Sequence, residues 1–101
     1  MAVEEPETSF EEAAREAVEL GNRIADDEPE SHPWDIGDGL LAGAIQYWLY
    51  ARQPCDDPAC EDCASMRTAE LRLAELLKQV EELARTSEYF HTPNDFGAGR
   101  A

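Results

Sequence analysis

Apolar residues recur at helical intervals in three stretches of this chain, and prolines mark where each stretch stops. The prolines stand at 6, 29, 33, 54, 58 and 93, leaving uninterrupted windows of 7–28, 34–53 and 59–92. Ala, Leu and Glu dominate those windows, β-branched residues are scarce and no segment alternates apolar with polar, so propensity and pattern both favour helix over strand. The predicted architecture is all-α. Three helices at about 8–25, 34–53 and 59–88 lie in one domain of residues 8–92, after a disordered N-terminus at 1–7 and before an irregular, flexible tail at 93–101.

In the first window Thr8 with Glu11, and Ser9 with Glu12, form two overlapping capping boxes, each able to satisfy orphan amides at a helix start. Phe10, Ala13, Ala14, Ala17, Val18 and Ile24 then share one face, a stripe rich in alanine that packs closely and contributes modestly. The acids around Pro29 end the helix, because negative charge sits badly at a C-terminus and proline cannot continue it.

Pro33 or Asp35 can open the second helix. From Gly39 to Ala51 it has Gln46 as its one strongly polar residue, so it is apolar on nearly every side and must be covered on nearly every side. That makes it a central core helix or an oligomer interface, with Leu41, Tyr47, Trp48 and Tyr50 as candidate interface residues. It is too short for a bilayer, which needs about 20 apolar residues. Gly39 and Gly43 have the small-xxx-small spacing that permits close helix approach, a weak signal outside membranes.

The third window has the clearest period: Met66, Ala69, Leu73, Leu76, Val80, Leu83 and Ser87 follow alternating steps of three and four, widened by Leu77 and Ala84. Such a seam suits an antiparallel hairpin of helices two and three as the core, or pairing with a second subunit. After Glu88 the helical period is lost, and Tyr89, Phe90 and Phe96 are aromatic anchors that either fold back or dock elsewhere.

Charge narrows the partners. With 23 acidic against 8 basic side chains the formal charge is −15, which opposes direct contact with nucleic acid or an anionic membrane. Glu4, Glu5, Glu7, Glu11 and Glu12 near the start are the reverse of a basic, then apolar secretory leader, so the expected location is the cytoplasm, where thiols stay reduced.

The one constellation with chemical content is Cys55, Cys60 and Cys63, between the second and third windows. If Asp57 caps the third helix and Pro58 takes its first position, the Cys60-x-x-Cys63 pair lies one turn apart and Cys55 folds over from the loop. Three thiolates suit zinc with a fourth ligand, for which His91 and His32 are candidates and Asp62 a poorer one. A single pair plus one cysteine departs from the usual two-pair structural zinc site. The flanking acids and the lack of a βαβ pattern oppose a thioredoxin-like redox pair, and an iron-sulfur cluster lacks its fourth cysteine. Cys63 also continues the apolar stripe of Ala59, Met66 and Leu73, so packing alone can account for it.

No catalytic triad, di-iron motif or phosphate loop is present. The function expected from sequence is a non-catalytic acidic helical interaction module or small accessory subunit, binding a protein partner or a second copy, with a zinc site at the cysteine turn. The alternative is an acidic mimic of nucleic acid that occupies a basic groove on a DNA- or RNA-binding protein.

Overall fold

In the computed structural model, which describes residues 5–93 and Asp95, the chain is all-helical. Three α-helices span Ser9–Asp27 (α1), Pro33–Ala51 (α2) and Ala69–Thr86 (α3), with a 3₁₀ turn at Ala64–Met66; no strand occurs among the described residues. The chain divides into two compact units, residues 1–50 and 51–101, so α1 and nearly all of α2 belong to the first and α3 to the second.

Of the two capping boxes available to α1, the structure uses the first. Glu11 N donates to Thr8 Oγ1 and Thr8 N donates to Glu11 Oε1, both at 3.1 Å. The segment just before the helix is tied down as well: Arg15 bonds Glu7 through Nε and Nη2 at 2.9 Å each and reaches Glu19 at 3.1 Å. These bonds hold the Glu7 carboxyl below its usual range, chiefly through Arg15, and Glu11 below its range, chiefly through the Thr8 amide.

α1 ends at Asp27, where Glu28 N still reaches Ile24 O, and Ser31 then turns the chain by donating N–H and Oγ–H to Glu28 O. Proline at the first position of α2 needs no amide partner. His32 acts as the N-cap: its Nδ1 accepts from Trp34 N at 3.1 Å and its carbonyl from Asp35 N at 3.0 Å.

α1 and α2 meet near this turn. Leu20 and Ile24 share a groove with Ile36 and Leu40, and a Cβ on Gly21 would sit 2.9 Å from Leu40 Cδ1. Gly21 is therefore the glycine of close approach. At Gly39 and Gly43, whose spacing had suggested that role, a Cβ meets nothing within 4 Å.

Two further expectations are corrected. α2 is no core helix: none of its residues is buried, and Leu41, Tyr47 and Tyr50 are exposed. The stripe of α1 is also largely open, with Phe10 and Val18 exposed and Ile24 only half-buried. Among the described residues Leu76 of α3 is the one that is buried.

The larger correction concerns α3, which begins at Ala69 and not at 59. Residues 57–66 close successive four-residue turns, Cys60 N to Asp57 O, Ala64 N to Glu61 O and Met66 N to Cys63 O. The Asp57 carboxylate accepts from Ala59 N at 2.9 Å, an Asx turn that starts one turn and no helix. α3 starts only where Thr68 caps it, taking Leu71 N on Oγ1 at 3.1 Å and Arg72 N on its carbonyl at 3.0 Å. It ends at Thr86. Beyond it Phe90 lies under the Arg85 guanidinium, 5.8 Å from carbon to ring centroid, while Tyr89 is exposed. Phe96 and most of the predicted tail fall outside the described residues, as do residues 1–4 of the predicted disordered start.

Two outcomes follow. Gly21→Leu should weaken the contact between α1 and α2 by about 1–3 kcal/mol through overpacking. Gly21→Ala should be near neutral, since Leu40 can rotate aside and alanine gains about 1 kcal/mol of helix propensity; chemical denaturation followed by circular dichroism reads both. Because the Glu11 pKa is lowered on folding, its contribution is complete above the ordinary glutamate value of about 4.3 and is lost as pH falls through the lower folded value. Glu11→Gln keeps the capping bond without the titration, so the acid loss of structure at Ala13 and Ala14, followed by NMR, should become shallower in that variant.

Candidate metal centre

The sequence from Cys55 to Cys63 folds as a tight loop because its polar side chains and amides serve one another locally. It brings Cys55, Cys60 and Cys63 together, with the sulfur atoms all within 4.8 Å of one another. Cys55 Sγ and Cys63 Sγ are 3.7 Å apart, a thiol contact well beyond a disulfide bond of about 2.05 Å. All three thiols are free. Cys55 is exposed; Cys60 and Cys63 are half-buried.

Main-chain amides point at the sulfurs. Cys63 Sγ accepts from Cys55 N at 3.4 Å, and Cys60 Sγ accepts from the amides of Cys63 and Asp62. Each N–H···S bond favours the thiolate, the form that a metal requires. The Cys60 thiol is accordingly lowered, first by the Cys63 amide, then by the Cys55 and Cys63 thiols and the Asp62 amide. At Cys63 the Cys55 amide also pulls downward, but the neighbouring thiols and partial burial outweigh it and the net direction is upward. Cys60 therefore loses its proton before Cys63.

Two arginines hold this loop. Arg67 Nη2 donates to Asp57 O at 2.8 Å and to Cys60 O at 3.3 Å, clasping both ends of the first turn. Arg72, in the first turns of α3, donates through Nη1 to Met66 O at 3.0 Å and Arg67 O at 3.3 Å, closing the 3₁₀ segment. Sequence reasoning missed both residues. The signal was available in principle: in a chain with only 8 basic side chains, two fall within nine residues of the last cysteine.

The arrangement is compatible with a metal site. A tetrahedral zinc ion with Zn–S of about 2.3 Å places its sulfurs about 3.8 Å apart, the separation that Cys55 and Cys63 already have, and the wider pairs close by about 1 Å. His91 is not in the group. Its Nδ1 lies 3.5 Å from Asp95 Oδ2 and its ring packs edge-on against Phe90 at 4.9 Å. His32 serves as the α2 cap, and Asp62 supplies its backbone amide, not its carboxylate, to the cluster.

The predicted interface residues form a separate feature on α2. Tyr47 and Tyr50, three apart and so on one side, have ring centroids 6.0 Å apart and border a shallow depression with Gly43 and Gln46. Leu41 is exposed and Trp48 half-buried. Trp34, at 78% exposure the most open tryptophan, was not singled out by sequence; its ring meets His32 edge-on at 5.3 Å. Comparison with known proteins supplies no relative, since no family model, curated protein or solved structure matches the chain.

Arg67→Ala should release the Asp57 and Cys60 carbonyls. Hydrogen exchange at the Cys60 and Cys63 amides should then accelerate roughly tenfold, the equivalent of one charged hydrogen bond, while amides from Leu76 to Leu83 stay unchanged.

Proposed function

We propose that this chain is a non-catalytic acidic helical interaction module or small accessory subunit, stapled by zinc at Cys55, Cys60 and Cys63, whose α2 binds another protein or a second copy through its aromatic edge. The observation that carries the reading is the exposure of Tyr47 and Tyr50, 71% and 73%, on the most apolar helix of the chain. Adjacent large rings in water are a costly arrangement for a chain to keep unless a partner covers them, and aromatic side chains are enriched at protein contacts. Leu41 and Trp48 extend the same helix as candidate contacts.

Protein is the favoured class of partner. Among the described residues no helix is long and apolar enough to cross a membrane, and a charge of −15 opposes phosphate-bearing surfaces. Zinc is favoured as the metal because thiolate donors suit a borderline-soft ion without redox chemistry. Three free thiols suit a reducing compartment, so we place the protein in the cytoplasm.

Native mass spectrometry of the full chain should show a multiple of the subunit mass with one zinc per subunit. Tyr47→Ser/Tyr50→Ser should shift the population towards monomer by an order of magnitude or more in dissociation constant, with the metal retained and helicity unchanged. A monomer in which covalent footprinting finds Tyr47 and Tyr50 protected would overturn the reading.

A further inference from the structure

The chain's supply of metal donors is small enough to audit. All three of its cysteines are in the cluster. Neither histidine lies in that group: His32 Nδ1 accepts from Trp34 N, and His91 Nδ1 sits 3.5 Å from Asp95 Oδ2. Among the described residues no carboxylate has an oxygen in the group. Three corners of a tetrahedron are thus supplied by one loop. Cys55, the exposed member, leaves the cluster accessible from solvent.

The charge around that fourth corner limits what can enter it. Zinc with three thiolates carries one net negative charge, and Asp56, Asp57, Glu61 and Asp62 lie within the same nine-residue loop. Arg67 donates to two carbonyls of this loop and offsets part of that charge. A further anion would add to the repulsion, whereas a neutral nitrogen donor would not. The loop also has ties of its own without a fourth protein ligand: Cys55 N donates to Cys63 Sγ, and Arg67 Nη2 donates to the Asp57 and Cys60 carbonyls.

We infer that Cys55, Cys60 and Cys63 form a three-thiolate zinc site whose fourth position is open and accepts a neutral nitrogen donor from outside the loop, an imidazole side chain of a partner being the matching chemical class. This rests on the zinc reading above and goes beyond it, because it removes His91 from the ligand set and gives the metal a direct place in partner recognition. A zinc ion held this way is a docking point. Binding there exchanges a water for the incoming nitrogen, with no bond broken in the protein.

Cobalt(II) in place of zinc makes the site visible, with free imidazole as the probe. The full-length chain loaded with cobalt should show sulfur-to-cobalt charge transfer in the near ultraviolet and tetrahedral d–d bands. Imidazole should shift the d–d bands saturably, azide should not, and His91→Ala should give the same spectrum and titration as the unmodified chain. Each single replacement of Cys55, Cys60 or Cys63 by Ser should remove one thiolate's share of the charge-transfer intensity, with circular dichroism confirming that the helices persist.

The failures are separable. No charge-transfer band, or purified protein that carries iron and sulfide, overturns the zinc reading itself. A normal band whose d–d pattern changes in His91→Ala and ignores imidazole leaves zinc standing and makes His91 the fourth ligand; a shift with azide and none with imidazole overturns the neutral-donor assignment.

Discussion

A helix can begin only where its first amides find acceptors and the backbone is free to coil, and from Cys55 to Thr68 neither condition holds. The amide of Cys55 is bonded to the Cys63 sulfur, those of Asp62 and Cys63 favour the Cys60 thiolate, those of Cys60, Ala64 and Met66 close four-residue turns, and Ala59 N is held by the Asp57 carboxylate. Ten positions with ample helix propensity are therefore withheld from α3, which starts at Ala69 under a Thr68 cap. That local competition brings the thiols together, and it sets the register from which Leu73, Leu76, Val80 and Leu83 project.

Four of the chain's eight basic side chains sit where they close something. Arg15 ties Glu7 to the first turns of α1, Arg67 and Arg72 donate to main-chain carbonyls of the cysteine loop and the 3₁₀ segment, and Arg85 pairs with Glu81 while lying over Phe90. Surface ion pairs such as Arg85–Glu81 add little. Arg67 and Arg72 differ because one nitrogen of each, Nη2 of Arg67 and Nη1 of Arg72, donates to two backbone carbonyls and so ties a turn. In a chain of net charge −15 these contacts also place positive charge beside the segment that gathers three ionisable sulfurs.

The helices, their number and the start of α1 were legible because propensity, proline spacing and the Thr8–Glu11 box are short-range signals that tertiary structure did not override. Cys55, Cys60 and Cys63 were legible as a group because nine residues leave little freedom to separate them. The start of α3 was not, since Asp57-Pro58 reads equally as a helix cap and as an Asx turn, and only the carbonyl partners of Arg67 decide between them. Gly21 was overlooked for a related reason. A glycine within a helix shows no pattern of its own, and its role depends on where Leu40 falls across the turn. His91 was read as a fourth ligand by residue type; in the structure it lies outside the sulfur group with Nδ1 beside Asp95, a contact that spacing alone does not rank.

The structure is fixed at the ends of its elements more than along their faces. Thr8, His32 and Thr68 cap the three helices, Glu28 and Ser31 turn the chain between α1 and α2, and the cysteine loop governs the entry to α3. Along the faces, by contrast, Leu76 is the one described residue that is buried, and Val18, Tyr47, Tyr50 and Leu77 stay open. Caps and local turns define backbone geometry but bury little apolar area, and area is the larger source of stability. A small chain arranged this way gains most from a staple that needs no core, which three convergent thiols can provide through a metal. It gains again from any partner that covers the exposed faces. The proposed metal and the proposed partner would therefore act on the same deficit from different sides, and a metal position open to a partner's nitrogen would couple the two.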